Sequence, residues 1–132
     1  MTVDQLSRLR FVIFLSSGLI TAGYGVLALL MGRPDPIWPW FPTLAALLAI
    51  AIIFASSARS GKKVTDASFD ELFDHEWRRA VGYSYWIAIA MYPLFIVPLS
   101  LGYVESTTAF AAMGTLSGGA PLLVYCFITS RS

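Results

Sequence analysis

Four long uncharged stretches alternate with short polar segments along this chain, at residues 11–32, 36–58, 80–104 and 106–130. Each exceeds the roughly 20 apolar residues that a helix needs to cross a hydrocarbon core of about 30 Å. The pattern predicts membrane spans at about residues 11–32, 37–58, 80–104 and 106–130. The predicted fold is an all-α, antiparallel four-helix membrane bundle in one domain, residues 1–132, with short-looped hairpins joining spans one to two and three to four.

The longest polar segment, residues 59–79, separates the second span from the third. Residues 60–63 are predicted to be a flexible basic turn. Ser68 and Glu71 fit the S-x-x-E capping box, which predicts a helix that starts near Phe69. Residues 69–79, which we call the collar, then place apolar side chains at helical spacing among mixed charges. The collar is predicted to lie at the inner membrane surface or to run straight into span three. Its candidate interaction residues are Phe69, Leu72, Phe73, Trp77, Arg78 and Arg79.

The distribution of basic residues predicts the orientation. Eight of the nine Lys and Arg residues lie before span one, between spans two and three, or after span four, and Arg33 is the exception. Because basic residues are enriched in cytoplasmic loops, both termini and the collar are predicted to be cytoplasmic. Residues 32–42 then face outward, with Trp38 and Trp40 at the headgroup boundary and Pro42 in the first turn of span two. The first span is too long for a signal-peptide core and is expected to remain as an anchor.

Composition excludes several classes of protein. Hydrophobic residues make up 57% of the chain and charged residues 13%, whereas about a quarter of residues are charged in soluble domains. The formal net charge is only +1. The chain therefore lacks the concentrated basic face that nucleic-acid binding needs. The single cysteine, Cys126, has no internal disulfide partner and is interpreted as a packing residue.

Motifs for catalysis, metals and cofactors are weak or missing, and no catalytic, cofactor-binding or metal-binding residue is predicted. The only histidine is His75, so neither a Ser-His-Asp set nor a haem between two histidines can form, although Met91 or Met113 leaves unusual haem ligation open. On the collar, Asp70 with Asp74, or Glu71 with His75, could in principle bind a divalent cation. The alternative interpretation is electrostatic, with Asp74 pairing with Arg78 four residues later.

Small residues mark the first span. Ser17, Thr21 and Gly25 recur at intervals of four, with Gly18 and Ala22 on the adjoining strip. Small residues allow helix backbones to approach closely in a membrane, where burial of apolar surface does not drive association. This strip predicts tight packing within the chain, with a dimerisation face as the alternative.

Spans three and four contain helix-breaking residues, which can be interpreted in two ways. The spans contain no ionisable Asp, Glu, His, Lys or Arg, which argues against a proton-coupled pump. Prolines predict bent or locally opened helices, and in transporters such breaks hold substrates. The alternative is that Gly114 and Gly118 form a close helix contact while Ser117 and Thr115 repair the backbone around Pro121. The candidate residues for packing or transport are Tyr92, Pro93, Gly114, Ser117, Gly118 and Pro121.

A resemblance to known proteins lies in the collar. The string Phe69-Asp70-Glu71, leading through Arg78-Arg79-Ala80 into an aromatic-rich third span, resembles several groups of small, uncharacterised bacterial inner-membrane proteins with four spans. The resemblance implies a bacterial inner membrane and transfers no functional residue. The predicted function is a non-catalytic accessory or interaction subunit whose partners are the lipid bilayer and other membrane subunits or itself. The alternative is a protomer of an oligomeric channel or transporter.

Overall fold

The computed structural model describes residues 2–38 and 40–131, and these residues form five helices. They are α1 (Val3–Met31), α2 (Phe41–Ser60), α3 (Lys62–Ser68), α4 (Glu71–Ser100) and α5 (Ser106–Arg131). All except α3 are long and apolar enough to cross a membrane. The predicted all-α class with four candidate spans is therefore confirmed.

The ends of α1 and of α2 follow local capping rules. The Thr2 hydroxyl accepts from the Gln5 amide at 3.2 Å, and the Gln5 side chain accepts from the Thr2 amide at 3.0 Å. This reciprocal pair starts α1 at Val3, well before the predicted span boundary at residue 11. At Gly32 a left-handed backbone with φ of 65° ends the helix. In α2 the helix begins at Phe41 with Pro42 in its first turn, as predicted, although the predicted span began at residue 37. Pro39 of the predicted external segment lies outside the described residues.

The segment between α2 and α4 is more helical than the sequence predicts. Gly61, with φ of 86°, separates α2 from α3, and the predicted flexible turn is wrong because Lys62 and Lys63 begin α3. The predicted cap at Ser68 is also wrong, since Ser68 is the last residue of α3 and a cap needs a non-helical backbone. Asp70 caps α4 instead, and its carboxylate accepts from the Phe73 amide at 3.0 Å.

The collar and the third span form one uninterrupted helix, α4, which ends at Ser100. Residues 101–104 of the predicted span belong to the turn before α5, where Gly102 has φ of 81°. Helix α4 continues through Pro93 and Pro98, and α5 continues through Pro121. Each proline removes one amide donor without ending its helix, so neither helix is interrupted. The other form of the prediction, a bend at the prolines, stays a prediction.

The helices pack unequally. The most extensive contact joins α1 to α5, the next joins α4 to α5, and α2 contacts α1 and α3. Helix α5 therefore lies between α1 and α4, and both predicted hairpin pairs are in contact. None of the residues of α2, all of which the structure describes, is buried. The buried apolar residues lie on the other long helices and are Leu6, Ile13, Tyr24, Ala28, Ala80, Ala109, Ala112, Tyr125 and Cys126.

The predicted small-residue strip of α1 packs against α5. A Cβ atom added at Gly25 would overlap the Thr115 hydroxyl and would lie 3.2 Å from the Ala112 carbonyl oxygen. One added at Gly18 would lie 2.9 Å from the Leu123 side chain. Packing within the chain is therefore confirmed at Gly18 and Gly25, and the dimerisation face stays an untested alternative.

A hydrogen bond ties the α1–α2 connection to the core. The hydroxyl of Tyr24, which is buried, donates to the Trp38 carbonyl oxygen at 2.8 Å. The Tyr24 ring also stacks on Phe41, with ring centroids 6.1 Å apart. These contacts place the connection and the start of α2 over the end of α1, while the Trp38 and Trp40 side chains stay exposed.

Candidate functional site

The inward face of the collar forms an aromatic cluster with α1 and α5. The rings of Phe73 and Trp77 stack with centroids 6.4 Å apart, and Phe69 meets Phe73 edge-on at 5.0 Å. Phe14 of α1 lies 5.6 Å from Trp77, and Tyr125 of α5 lies 5.4 Å from Phe73. Three of the predicted interaction residues therefore pack, at least in part, inside the chain, where edge-on and offset rings are favourable.

A buried arginine joins α1 to this cluster. Arg10 is only 7% exposed and donates to the Ser68 carbonyl oxygen at 2.5 Å and to the Ser68 hydroxyl at 3.1 Å. Its guanidinium carbon lies 4.8 Å and 4.4 Å from the ring centroids of Phe69 and Phe73. The carbonyl oxygen and the π faces compensate a charge that burial would otherwise disfavour. In the sequence, Arg10 indicates only the orientation of the chain, although it shares a helix face with Phe14, four residues later.

A buried carboxylate joins the collar to α5. Glu76 is 5% exposed, and one of its carboxylate oxygens accepts from the Thr129 hydroxyl at 2.8 Å. Glu76 was not among the residues predicted from the sequence. The available signal was its position three residues after Phe73 and four before Ala80, on the apolar face of the collar.

The outward face of the collar is polar and open. The predicted ion pair is confirmed, with Arg78 Nε 3.2 Å from the Asp74 carboxylate. Leu72, Arg79 and His75 are also exposed. Among the described residues, no group of three or more His, Cys, Asp or Glu side chains is placed to hold a metal ion. The six predicted collar residues thus divide into an inner aromatic set and an outer set.

The six candidate residues of spans three and four do not converge on one site. Tyr92 is 64% exposed on α4, and Pro93 beside it is also exposed. Ser117 of α5 faces α4 instead, where its hydroxyl lies 3.5 Å from the Met91 sulfur. Pro121 lies partly buried within α5.

The glycines of α5 have different surroundings from those predicted. A Cβ atom at Gly119 would lie 3.1 Å from the Gly18 carbonyl oxygen and 3.2 Å from the Ala22 nitrogen. At Gly114 it would meet no described atom within 4 Å, and at Gly118 only a side-chain methyl at 4.0 Å. The predicted close contact through Gly114 and Gly118 is therefore wrong. Successive helix residues point about 100° apart, so α5 turns Gly119 toward α1 and leaves Gly118 beside that interface.

Gly114 and Gly118 instead line a groove between α1, α2 and α5, which we call the glycine groove. Its volume is about 490 Å³, and small or hydroxyl side chains contribute much of its wall. These side chains are Ser17 and Thr21 from α1, Thr43, Ala46 and Ala49 from α2, and Thr115 from α5. The Thr115 hydroxyl is already used within α5, where it donates to the Ala111 carbonyl oxygen at 2.8 Å. The groove can therefore admit a closely approaching helix backbone.

The glycine groove and the collar are two candidate sites among the described residues. The first combines open glycines with hydroxyl groups, and the second combines buried charges with packed rings. No protein-family model, curated protein or solved structure matches the chain.

Proposed function

We propose that this chain is a non-catalytic accessory subunit of a membrane assembly, and that the glycine groove receives a transmembrane helix of another subunit. The observation that carries the proposal is the open state of Gly114 and Gly118. They lie four residues apart on one face of α5, and a Cβ atom would have room at both. Paired small residues at this spacing are typical of helix contacts in membranes.

The loose attachment of α2 supports the same role. This helix buries none of its residues, and several of its large side chains point outward, with Phe54 71% exposed and Leu48 63% exposed. Lipid chains can cover such side chains. A partner helix that enters beside α2 would in addition find the hydroxyls of Ser17, Thr21 and Thr43 available for hydrogen bonds between helices.

The proposed orientation has both termini and the collar in the cytoplasm, in a bacterial inner membrane. It is supported by the concentration of basic residues at one end of the helices and by Arg33 alone at the other. The collar packs against α1 and α5 through Arg10 and Glu76, and this makes it part of the subunit body. On its outer face Leu72, which is 60% exposed, remains a contact for a cytoplasmic partner.

The alternative function is a protomer of an oligomeric channel or transporter. The hydroxyls in the glycine groove favour it, because several copies could turn them toward a shared pathway. The residues predicted to form a transport site are dispersed, however, since Tyr92 faces outward and Ser117 faces Met91. This dispersal is the reason for preferring the accessory role.

The test is copurification of tagged protein in native nanodiscs, with mass spectrometry of the bound subunits. Gly118→Leu should keep the fold, because the position is open, and should lose the bound subunit. Gly23→Leu is the matched control, because Gly23 is exposed on α1 and does not line the groove.

The outcomes separate the two functions. Wild-type protein that copurifies with no other subunit would refute the accessory role, and so would a Gly118→Leu variant that keeps its partner. Recovery of further copies of this chain alone would favour the oligomer. Solute flux in reconstituted vesicles that Gly118→Leu abolishes without dissociating that oligomer would establish the transport alternative.

A further inference from the structure

A second groove lies between α4 and α5 and has a charged end. Its volume is about 740 Å³, and only these two helices line it. Arg79 and Arg131 stand at one end, Trp86 and Phe127 line the wall, and Ala90 lies at the far end. We call it the arginine groove. It does not include the glycine groove or its residues.

The positive charge at this end of the groove has no neutralising partner among the described residues. Among the described residues, no Asp or Glu lines the groove, and Arg79 takes part in no ion pair. The neighbouring Arg78 does not line the groove, and its guanidinium pairs with Asp74 at 3.2 Å. The Arg131 guanidinium lies over the Phe127 ring, 5.1 Å from its centroid. Two arginines therefore line the same groove, and their guanidinium groups can bind phosphate oxygens in the bidentate manner of arginine.

The length of the groove matches one membrane leaflet. Arg79 and Ala90 are separated by 11 residues of α4, which at about 1.5 Å per residue is about 16 Å. A hydrocarbon core of about 30 Å gives each leaflet about 15 Å. Trp86 lies 68% exposed on the wall between the charged end and the apolar end. Charge, aromatic side chain and apolar wall thus follow the order of a phospholipid from headgroup to acyl chain.

We propose that the arginine groove binds one anionic phospholipid, with its phosphate on Arg79 and Arg131 and an acyl chain along α4 and α5. The charge complementarity selects an anionic lipid over a zwitterionic one. In the proposed orientation this lipid belongs to the cytoplasmic leaflet, where anionic headgroups attract arginines near the surface. The site is independent of the glycine groove, so loss of a partner subunit would leave it intact.

Native mass spectrometry of the delipidated full chain in detergent tests the proposal. Phosphatidylglycerol and phosphatidylcholine with identical acyl chains are added in separate titrations. We expect one phosphatidylglycerol per chain to bind more tightly than phosphatidylcholine. Arg79→Gln and Arg131→Gln should each weaken phosphatidylglycerol binding about fivefold, the factor for one arginine near an anionic surface. Inorganic phosphate should not compete, because it has no acyl chain to fill the groove.

Arg78→Gln is the matched control, since it removes the same charge one residue away and outside the groove. Ala90→Phe fills the apolar end without changing charge, and it should weaken binding of phosphatidylglycerol. Equal affinity for the two lipids, or equal losses in Arg78→Gln and Arg79→Gln, would overturn the proposal. Unchanged binding in Ala90→Phe would show that only surface charge attracts the lipid, and would overturn the groove as its site. Circular dichroism of each variant establishes that it is folded.

Discussion

Gly119 is the position at which one added methyl group tests the packing of α5 against α1. In Gly119→Ala the new Cβ would lie 3.1 Å from the Gly18 carbonyl oxygen and 3.2 Å from the Ala22 nitrogen. Both are backbone atoms, so no side-chain rotation can relieve the contact and the helices must separate. Overpacking of this kind costs about 1–3 kcal/mol.

The matched variant Gly114→Ala isolates that cost. Both glycines lie inside α5, and alanine is favoured over glycine in a helix by about 0.8–1.0 kcal/mol at either position. This gain is the same in both variants, so it cancels when they are compared. What remains is the steric contact, because only at Gly119 would the added Cβ lie close to backbone atoms of α1. The free energy of unfolding should therefore be lower in Gly119→Ala than in Gly114→Ala by about 1–3 kcal/mol.

Unfolding in mixed micelles with increasing dodecyl sulfate, followed by far-ultraviolet circular dichroism, measures this difference. Gly118→Ala is a second control, because its nearest foreign atom would be a methyl carbon at 4.0 Å. Equal stability of Gly119→Ala and Gly114→Ala would refute the assignment of Gly119 to the helix interface. A lower stability of Gly118→Ala than of Gly119→Ala would instead restore the contact that the sequence predicted.

Three further predictions concern the collar and the orientation. Arg10→Gln should lower the free energy of unfolding by roughly 2–4 kcal/mol, because it removes charged hydrogen bonds and two cation–π contacts. The control Arg8→Gln, at an exposed position, should change the free energy of unfolding little. Asp70→Ala should cost about 1 kcal/mol through loss of the α4 cap, and an unchanged unfolding curve would contradict that cap. In a variant without the native cysteine, a membrane-impermeant thiol reagent on intact cells should label a cysteine at Arg33 and not one at Lys62, and the reverse pattern would invert the orientation.

The spans were predictable because they depend on local composition. A run of apolar residues long enough to cross a bilayer specifies a helix wherever its neighbours lie, and α2 and α5 ended within a few residues of their predicted limits. The ion pair between Asp74 and Arg78 was predictable for the same reason, since a four-residue spacing within one helix determines the distance.

The failed predictions depended on contacts distant in sequence. The S-x-x-E pattern at Ser68 is a valid cap in isolation, but α3 extends through Ser68, and Arg10 binds its carbonyl and hydroxyl groups from 58 residues away. The sequence also does not indicate whether Gly118 or Gly119 contacts α1. Both belong to one cluster of small residues, and only the rotation of α5 about its axis determines which one meets α1.

The central position of α5 has a consequence for biogenesis. This helix is synthesised after the other four, yet it provides the main packing surface for both α1 and α4. Until α5 enters the bilayer, the small-residue face of α1 lacks its partner, and the aromatic face of the collar has only its contacts with Phe14 and Arg10 of α1. We therefore expect the earlier helices to associate loosely and to stay open to chaperones and proteases until α5 packs against α1 and α4.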